Sequence, residues 1–292
     1  MSSDRPASGV EFFIKTADGE QPEFCPISAS RGKNLRLNKK ERIAMEMQTR
    51  IENYWEGEAS RYSEGIWKEM NSFKKQAWAN LIDEHRPAGN PLEVLDIGTG
   101  PGFFAMVLAE MGHRVTAVDC SSNMLAEAQN NMRTVGLTAK FLKMDSHLLT
   151  FEDDSFDLLL CRNLTWTLHD PQAAYAEWRR VLKPGGRLLI FDANWNLHLN
   201  DPEMRKKYEE DKAEAERRGI HRLGHVNPEE GDRIAKELFL STRLRPHWDA
   251  GALLEVGFKE IFINADITDR VQDEEDRILY RSTPMFLVVA EK

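Results

Sequence analysis

Between Val94 and Met111 the sequence runs from an apolar strand through a glycine-rich loop into a helix. The run Val94–Ile97 contains one acid, Asp96, and its length and composition predict a buried parallel strand. The loop that follows reads Gly-Thr-Gly-Pro-Gly, and the apolar run that begins at Phe103 predicts a helix. Glycine lets the main chain turn tightly and lets a ligand lie against bare peptide groups. This succession is typical of α/β sheets that bind a ligand at the carboxyl ends of their strands.

The alternation of strands and helices continues through most of the chain. Strands are predicted at 94–97, 115–118, 140–143, 156–161, 187–191, 258–263 and 285–290. Regular alternation of this kind predicts a parallel sheet with helices on both faces. The expected fold is therefore α/β, a Rossmann-like, seven-stranded and mostly parallel sheet with N-terminal helices and a helical lid insertion.

We expect five parts along the chain. They are an N-terminal arm (1–38), an N-terminal helical cap (39–90), the Rossmann-like core (91–195), a polar helical lid insertion (196–248) and the C-terminal part of the core sheet (249–292). Apolar periodicity predicts two cap helices, at 39–55 and 66–85. Residues 11–16 are compatible with a strand, and a partly ordered arm is an equal alternative.

Composition excludes several classes of protein. The 292 residues include 39 basic and 48 acidic side chains, for a net charge of -9. An acidic chain without a basic run is a poor candidate for binding nucleic acid or an anionic membrane. Neither an apolar signal core nor a run of membrane-spanning length is present, so we expect a cytoplasmic protein. Cys25, Cys120 and Cys161 are too widely spaced for a disulfide framework or a metal motif, and we expect reduced thiols.

The glycine loop resembles motif I of the class I S-adenosylmethionine (SAM) methyltransferases, in which an acid in the strand precedes alternating glycines. A nicotinamide-binding loop would need its third glycine one position later, where this chain has Phe103. The segment Leu182–Gly186, LKPGG, is similar to the turn before the fifth strand of that family. The resemblance is strongest over residues 53–195 and implies SAM as the cofactor and methyl transfer as the reaction. It does not identify the methyl acceptor.

The resemblance also implies cofactor contacts at the first two strands. Asp96 would orient the loop and the SAM amino group. Asp119, at the end of the second strand, would accept the ribose hydroxyls, since Ser121 or Ser122 can already cap the next helix. The segment after Asp119 resembles the D-x-S-x-x-M-L segment of the family, whose Met packs on adenine. The contacts expected here are Asp96, Gly98, Thr99, Gly100, Gly102, Asp119, Cys120, Asn123 and Met124.

Four further cofactor contacts are expected, three in loops after later strands and one in the N-terminal cap. Asp145 and Ser146 follow the third strand, where the family uses an acid to accept from the adenine amino group; a solvated loop acid is the alternative. Asn163 belongs to an Arg-Asn pair that resembles the one in ubiquinone and menaquinone C-methyltransferases, and would bind the methionine end. Tyr62 ends a W-x-x-x-A-x-x-Y segment similar to that of small-molecule methyltransferases. Its ring would cover the sulfonium, with a core aromatic position as an equal alternative.

Acceptor-side residues are expected near the insertion. Tyr54, Trp166, Trp195 and His198 are the expected substrate-binding residues, although core packing is an equal alternative for Trp166. A neutral histidine near a sulfonium can act as a general base. The expected catalytic residues are His221 and His225. Their spacing is also that of helical metal ligands, but nearby glycine and proline disfavour a regular helix, so no metal is predicted.

The sequence therefore predicts a SAM-dependent methyltransferase that transfers a methyl group to a small-molecule acceptor by in-line displacement. The acidic net charge argues against a nucleic-acid acceptor and against a membrane partner. The alternative function is a SAM-binding regulatory or assembly module without methyl transfer. An open pocket beside the SAM methyl group would favour the enzyme, and a plugged pocket would favour the module. A homodimer is compatible with the sequence.

Overall fold

The protein is described here from a computed structural model, which covers residues 11–15, 38–220 and 224–292. Within these residues eight strands form one sheet, in the order β1-β7-β8-β6-β5-β2-β3-β4. The strands are β1 (Glu11–Lys15), β2 (Glu93–Ile97), β3 (Arg114–Asp119), β4 (Lys140–Lys143), β5 (Phe156–Arg162), β6 (Leu182–Ala193), β7 (Glu260–Asn264) and β8 (Met285–Glu291).

Five neighbouring strands, from β4 through β3, β2 and β5 to β6, are parallel, while β8, β7 and β1 are added antiparallel. The predicted α/β, mostly parallel, Rossmann-like sheet is therefore confirmed. The strand count differs by one, because β1 pairs along β7 and extends the sheet at that edge. The strand alternative for residues 11–16 is thus the one that the structure shows, over 11–15.

Ten α-helices surround the sheet in the described ranges. They are α1 (Lys39–Met70), α2 (Phe73–His85), α3 (Phe103–Glu110), α4 (Ser122–Thr134), α5 (Pro171–Val181), α6 (Pro202–Arg217), α7 (Pro228–Glu237), α8 (His247–Glu255), α9 (Thr268–Val271) and α10 (Glu274–Leu279). None of the helices in this part of the chain combines the length and the apolar composition that a membrane crossing requires.

The N-terminal cap differs from its prediction. The break expected between residues 55 and 66 does not exist, because α1 continues through Gly57 and Gly65 for 32 residues. The chain breaks instead at Ser72, whose side chain accepts a hydrogen bond from the amide of Lys74 and caps α2. Each internal glycine costs a helix about 1 kcal/mol. The packing of α1 against α4 and α7 offsets that cost.

One carboxylate attaches α1 to the sheet's carboxyl edge. Glu56 accepts hydrogen bonds from the amides of Ser122 and Asn123, both at 2.8 Å, and from the hydroxyl of Ser121 at 3.0 Å. These amides form the N-terminus of α4, where the helix dipole favours a negative charge. Burial opposes ionisation of Glu56, but these hydrogen bonds hold its pKa below the usual range. The middle of α1 is thereby fixed above the loop that follows β3.

The two ends of the insertion are anchored to different supports. Ile234 of α7 and Leu238, directly after it, pack against Met47 and Ile51 of α1, and Arg50 forms an ion pair with Glu230 at 2.9 Å. In α6, the carboxylate of Asp211 accepts from the amide of Ser282 at 2.7 Å, and Ala215 packs on α10. The insertion is therefore helical, as predicted, and spans from the C-terminal part of the chain to the N-terminal cap.

A buried guanidinium joins the end of the insertion to the sheet. Arg245 donates to Asp192 of β6 at 2.9 Å and to both carboxylate oxygens of Asp249 in α8 at 2.7 and 2.8 Å. All three side chains are at most 1% exposed. Tyr175 of α5 donates to the same Asp249 carboxylate, at 2.5 Å. We call Asp192, Arg245 and Asp249 the buried ionic cluster.

Replacing Arg245 by Met should lower the free energy of unfolding by about 3–5 kcal/mol, because two buried carboxylates lose their cation. Arg187→Met is the matched control. Arg187 pairs with Glu291 at 3.0 Å, but the two side chains are 36% and 33% exposed, so we expect a loss below about 1 kcal/mol. Urea denaturation measures both losses. Equal losses in the two variants would contradict the central role of the cluster.

Candidate active site

A cavity of about 790 Å³ lies at the carboxyl ends of β2, β3, β5 and β6, between the sheet, α1 and the insertion. Most residues that the sequence nominated line it. They are Tyr54, Tyr62, Asp96, Gly98, Thr99, Gly100, Asp119, Cys120, Met124, Ser146, Asn163, Trp166, Trp195, His198 and His225. The cavity therefore brings together side chains from both the expected cofactor set and the expected acceptor set.

Three nominated cofactor residues lie outside the cavity lining. Gly102 precedes α3 with φ of +91°, and an added Cβ would lie 3.1 Å from that of Ala128, so close helix packing explains this glycine. Asn123 holds α1, since its side-chain amide donates to the main-chain oxygen of Glu56 at 3.0 Å. Asp145 accepts from the main-chain amide of His147 at 2.9 Å. The remaining nominated residue, His221, is outside the described residues, as is Cys25.

The glycine loop is held by two buried carboxylates. The hydroxyl of Thr99 donates to Asp96 at 2.6 Å. Asp119 accepts from the amide of Gly100 at 2.9 Å through one oxygen, and from the amide of Ser121 at 2.9 Å through the other. Ser121 itself caps α4 by accepting from Met124 at 3.1 Å, as the sequence indicated. These hydrogen bonds attach the glycine loop to the ends of β2 and β3.

Burial makes both loop carboxylates harder to ionise. It raises the pKa of Asp96 to about 7, against the opposing hydrogen bond from Thr99 and the charge of Arg162. Burial likewise raises the pKa of Asp119 to about 6, against the two amide hydrogen bonds that favour its anion. Perturbed carboxylates in a cavity mark a binding site, because a ligand that donates to them recovers the solvation lost on burial.

Gly100 leaves an open space beside these carboxylates. Its φ is +52°, and an added Cβ would meet no atom closer than the sulfur of Met124, at 4.0 Å. Gly98, with φ of +66°, differs because a Cβ there would lie 2.7 Å from the side chain of Leu164. The cavity thus reaches the main chain at Gly100, while Gly98 is needed for packing.

An ion pair that lines the cavity was not in the nominated set. Arg162, at the end of β5, donates to Glu69 of α1 at 2.6 Å, and its guanidinium lies 4.4 Å from the ring centre of Phe103. The next residue, Asn163, has φ of +56°, a left-handed conformation that asparagine tolerates better than most residues. The main-chain amide of Asn163 donates to the main-chain oxygen of Phe191 at 2.9 Å. The Arg-Asn pair in the sequence could have identified Arg162 as a site residue. No sequence signal distinguishes Glu69 from the other polar residues of its helix.

Aromatic rings form the half of the cavity that was predicted to hold the acceptor, which we call the acceptor half. Trp55, which the sequence left unassigned, makes edge contacts with Tyr54, Tyr62 and Trp166, at centroid distances of 5.1, 5.3 and 6.1 Å. Burial raises the pKa of Tyr62 to about 12, and the guanidinium of Arg61 lies 4.5 Å from its ring. The further lining residues that the sequence missed include Trp55, Glu69, His147, Arg162, Tyr208, Lys212 and Tyr280.

The buried ionic cluster sets the position of two of these aromatic walls. Asp192 accepts from the main-chain amide of Trp166 at 3.2 Å and from the indole nitrogen of Trp195 at 2.8 Å. Trp195 also makes an edge contact with Tyr280, at 5.4 Å between centroids. The same carboxylate therefore supports both tryptophans that the sequence assigned to the acceptor.

Asp145, His147 and His169 bring potential ligand atoms within 4.8 Å of one another. The Nδ1 atom of His147 lies 2.7 Å from the Asp145 carboxylate, and the rings of His147 and His169 stack at 3.8 Å. The hydrogen bond and the ring stacking are the contacts that the structure shows within this group.

Comparison with known proteins shows that this chain is similar to methyltransferases. Residues 95–190 match the family described as "Methyltransferase domain". Over 104 residues the chain is 33% identical to a ubiquinone biosynthesis O-methyltransferase of Coxiella burnetii, with 36% of this chain and 44% of that protein covered. Over another 104-residue match it is 36% identical to a demethylmenaquinone methyltransferase of Thermus thermophilus, with 35% and 47% covered.

A solved structure shows the same fold over a longer stretch. It is a Haloferax volcanii protein in complex with the Trm112 methyltransferase activator, with 21% identity, a TM-score of 0.53, and 82% of this chain and 96% of that chain covered. The family match covers the segment from β2 to β6 and confirms the resemblance to methyltransferases that was predicted from the glycine loop. SAM, the cofactor of that class, is likewise confirmed as the predicted cofactor. The chain spans less than half the length of each of these two curated relatives.

The residues that line the cavity fit SAM independently of these comparisons. The open space at Gly100 provides bare main chain at the N-terminus of α3, where a carboxylate is favoured. Asp119 keeps lone pairs for hydroxyl groups after accepting its two amides. Met124 offers an apolar surface between them.

Gly100→Val should abolish binding of S-adenosylhomocysteine, because its side chain would fill the open space beside Asp119. Gly136→Val is the matched control, since Gly136 has φ of +70° and no atom within 4 Å of an added Cβ. Both variants strain a left-handed residue by about 1–2 kcal/mol. Calorimetry should therefore show loss of binding in Gly100→Val alone, at similar stability. Normal binding by a folded Gly100→Val protein would place the ligand elsewhere.

Affinity for S-adenosylhomocysteine should weaken as the pH falls through about 6, where Asp119 becomes protonated. A neutral carboxyl is a weaker acceptor for two ribose hydroxyls than the anion. Asp119→Asn should weaken binding by about 1–3 kcal/mol and remove that step. A step near pH 7, from Asp96, should stay. Ser121→Ala is the control, because it removes the cap of α4 and the hydroxyl bound to Glu56 but keeps the main-chain amide that donates to Asp119. An unchanged affinity in Asp119→Asn would contradict the ribose assignment.

Proposed function

We propose that the protein transfers the methyl group of SAM to a small-molecule acceptor by in-line displacement. The observation that carries this proposal is the continuity of the cavity. One space of about 790 Å³ extends from the glycine loop to the aromatic walls and the insertion. That volume lies within the range of small-molecule sites, which is about 300–1,000 Å³. A module that only bound SAM would not need the second half of this space.

The chain's own residues would align the reactants. When bound, SAM supplies a methyl group on a positively charged sulfur. Asp96, Gly100 and Asp119 would hold its amino group, its methionine end and its ribose, and Asn163 would contact the methionine end from β5. The rings of Trp55 and Trp166 would confine the acceptor on the opposite side. Such alignment supplies most of the rate enhancement that an in-line transfer requires, and the insertion would exclude water.

A small acceptor is favoured over a nucleic acid by charge. The chain has a net charge of -9, and a polyanion would be repelled. The acceptor half is walled by α1 on one side and by α6 and α7 on the other, so a compact molecule fits better than a polymer. A cytoplasmic location without a membrane partner is part of the same proposal, and a homodimer is compatible with it.

Calorimetry with SAM, S-adenosylhomocysteine and NAD tests the cofactor assignment, and we expect heat from the two sulfur ligands only. Phe103 stands where a nicotinamide loop needs glycine, and the acid of β3 is already placed for a ribose. A screen of phenols, thiols and amines for release of S-adenosylhomocysteine then tests transfer. Binding without release from any acceptor class would favour the SAM-binding module. Binding of NAD alone would overturn the proposal.

A further inference from the structure

A second cavity, of about 300 Å³, lies at the edge of the sheet opposite to the active site. Its lining comes from α2, from the loop that leads into β2 and from the turn between α3 and β3. These segments meet at the amino ends of β2 and β3, whereas the active site lies at the carboxyl ends of the same strands. None of the described residues lines both cavities. Small-molecule sites begin at about 300 Å³, so the second cavity suits a small ligand.

His113 brings a buried hydrogen-bond donor to the second cavity. The residue is 7% exposed, and its Nδ1 atom accepts a hydrogen bond from the main-chain amide of Leu92 at 3.3 Å. Because an amide nitrogen can only donate, Nδ1 carries the lone pair and the proton of the neutral ring lies on Nε2. In the part of the chain that the structure describes, this buried Nε2 atom has no hydrogen-bond partner.

The imidazole of His113 is neutral near neutral pH. Burial and the charge of Arg86 lower the pKa of His113, and the charge of Asp83 opposes them. The ring therefore presents Nε2–H as a donor and not as a cation. A buried donor without an acceptor costs free energy, and a ligand oxygen that accepts its proton recovers that cost.

The guanidinium of Arg86 provides a second donor in the lining of the same cavity. Its Nε atom donates to Asp83 at 2.7 Å, and its Nη1 atom donates to the main-chain oxygens of Pro87 and Gly89 at 3.2 and 2.8 Å. Among the described residues the remaining nitrogen, Nη2, has no partner. The side-chain contacts already fix the planar group, so a ligand that binds Nη2 pays little further entropy.

The charges and the apolar part of the lining select the chemistry of the ligand. Asp83 is 59% exposed, so water screens its charge, whereas Arg86 is 21% exposed. The cavity therefore offers one weakly screened cation, which suits a monoanion better than a dianion. Ala79 and Met111 also line it, so an apolar group is accommodated beside the two donors.

We propose that the second cavity binds a small carboxylate with a short apolar body. Its oxygens accept hydrogen bonds from Nε2 of His113 and Nη2 of Arg86, and its body packs on Ala79 and Met111. This ligand site goes beyond the proposed function and does not depend on it, because the two cavities lie at opposite ends of β2 and β3.

Butyrate, a carboxylate on a short alkyl chain, is the probe for the second cavity. Nitrogen-resolved NMR of the full chain follows the ring of His113, and we expect the Nε2–H tautomer before any ligand is added. Butyrate should then shift the Nε2 resonance in a saturable way. Butyramide, which keeps an acceptor oxygen but has no charge, should bind at least tenfold more weakly, because the charge-assisted hydrogen bond to Arg86 is lost. Inorganic phosphate should also bind more weakly than butyrate.

Ala79→Leu should abolish the butyrate response, because the larger side chain fills the cavity and leaves both donors in place. Ala77→Leu is the matched control, since it makes the same change on the same helix outside the lining. Arg86→Gln should weaken butyrate binding at least tenfold. All three variants should bind S-adenosylhomocysteine normally, because that ligand occupies the other cavity.

Three results would overturn this inference. The first is a neutral tautomer of His113 with the proton on Nδ1. The second is an Nε2 resonance that does not respond to butyrate, which would leave water as the partner of that nitrogen. The third is an equal response to butyrate in Ala79→Leu and Ala77→Leu. Butyramide or phosphate binding as tightly as butyrate would overturn the assignment to carboxylates. Each of these results leaves the proposed methyl transfer untouched, since that function is tested by S-adenosylhomocysteine binding and release.

Discussion

The position of the acceptor half of the cavity depends on the pairing of one buried guanidinium with two buried carboxylates. Arg245 joins the end of the insertion to β6 through Asp192 and to α8 through Asp249. Charges this deeply buried are tolerated only when each has a partner and further hydrogen bonds. Because Asp192 also accepts hydrogen bonds from the amide of Trp166 and the indole of Trp195, the same cluster positions two walls of the cavity. The insertion, the sheet and the acceptor walls are therefore fixed together.

The long helix α1 plays the complementary part on the other side. Glu56 binds it to the N-terminus of α4, and Arg50 binds it to α7 of the insertion. Between these attachments it presents Tyr54 and Trp55 to the cavity, and just beyond Glu56 the carboxylate of Glu58 accepts from the main chain of the insertion. A helix broken between residues 55 and 66, as the sequence suggested, would separate the Glu56 contact from the rest. Its continuity thus places N-terminal residues over a site whose cofactor half comes from the sheet.

Sequence reasoning succeeded where a pattern is local. The strand predicted at 94–97 is observed at Glu93–Ile97, and the strand predicted at 140–143 is observed at Lys140–Lys143. The glycine loop and Asp119 lie close together because the carboxyl ends of parallel strands meet at one edge of the sheet. Glu58 and Arg245 were missed because a charged residue on a helix or loop resembles a solvated one until its tertiary partners are known. The short helices α9 and α10, of 4 and 6 residues, fall below the length at which periodicity is readable.

These differences follow the division of the cavity itself. Its cofactor half is built from consecutive loops of the sheet, where a short motif both turns the chain and exposes its amides. Its acceptor half is assembled from α1, the end of β6 and the insertion, which meet only through contacts between distant residues. Those contacts are ionic or hydrogen-bonded at their centres, at Glu58 with Arg61 and at Asp192 with Arg245. Changes in the insertion can therefore alter the acceptor walls without disturbing the loop at Gly100, provided that the charges at those two centres stay paired.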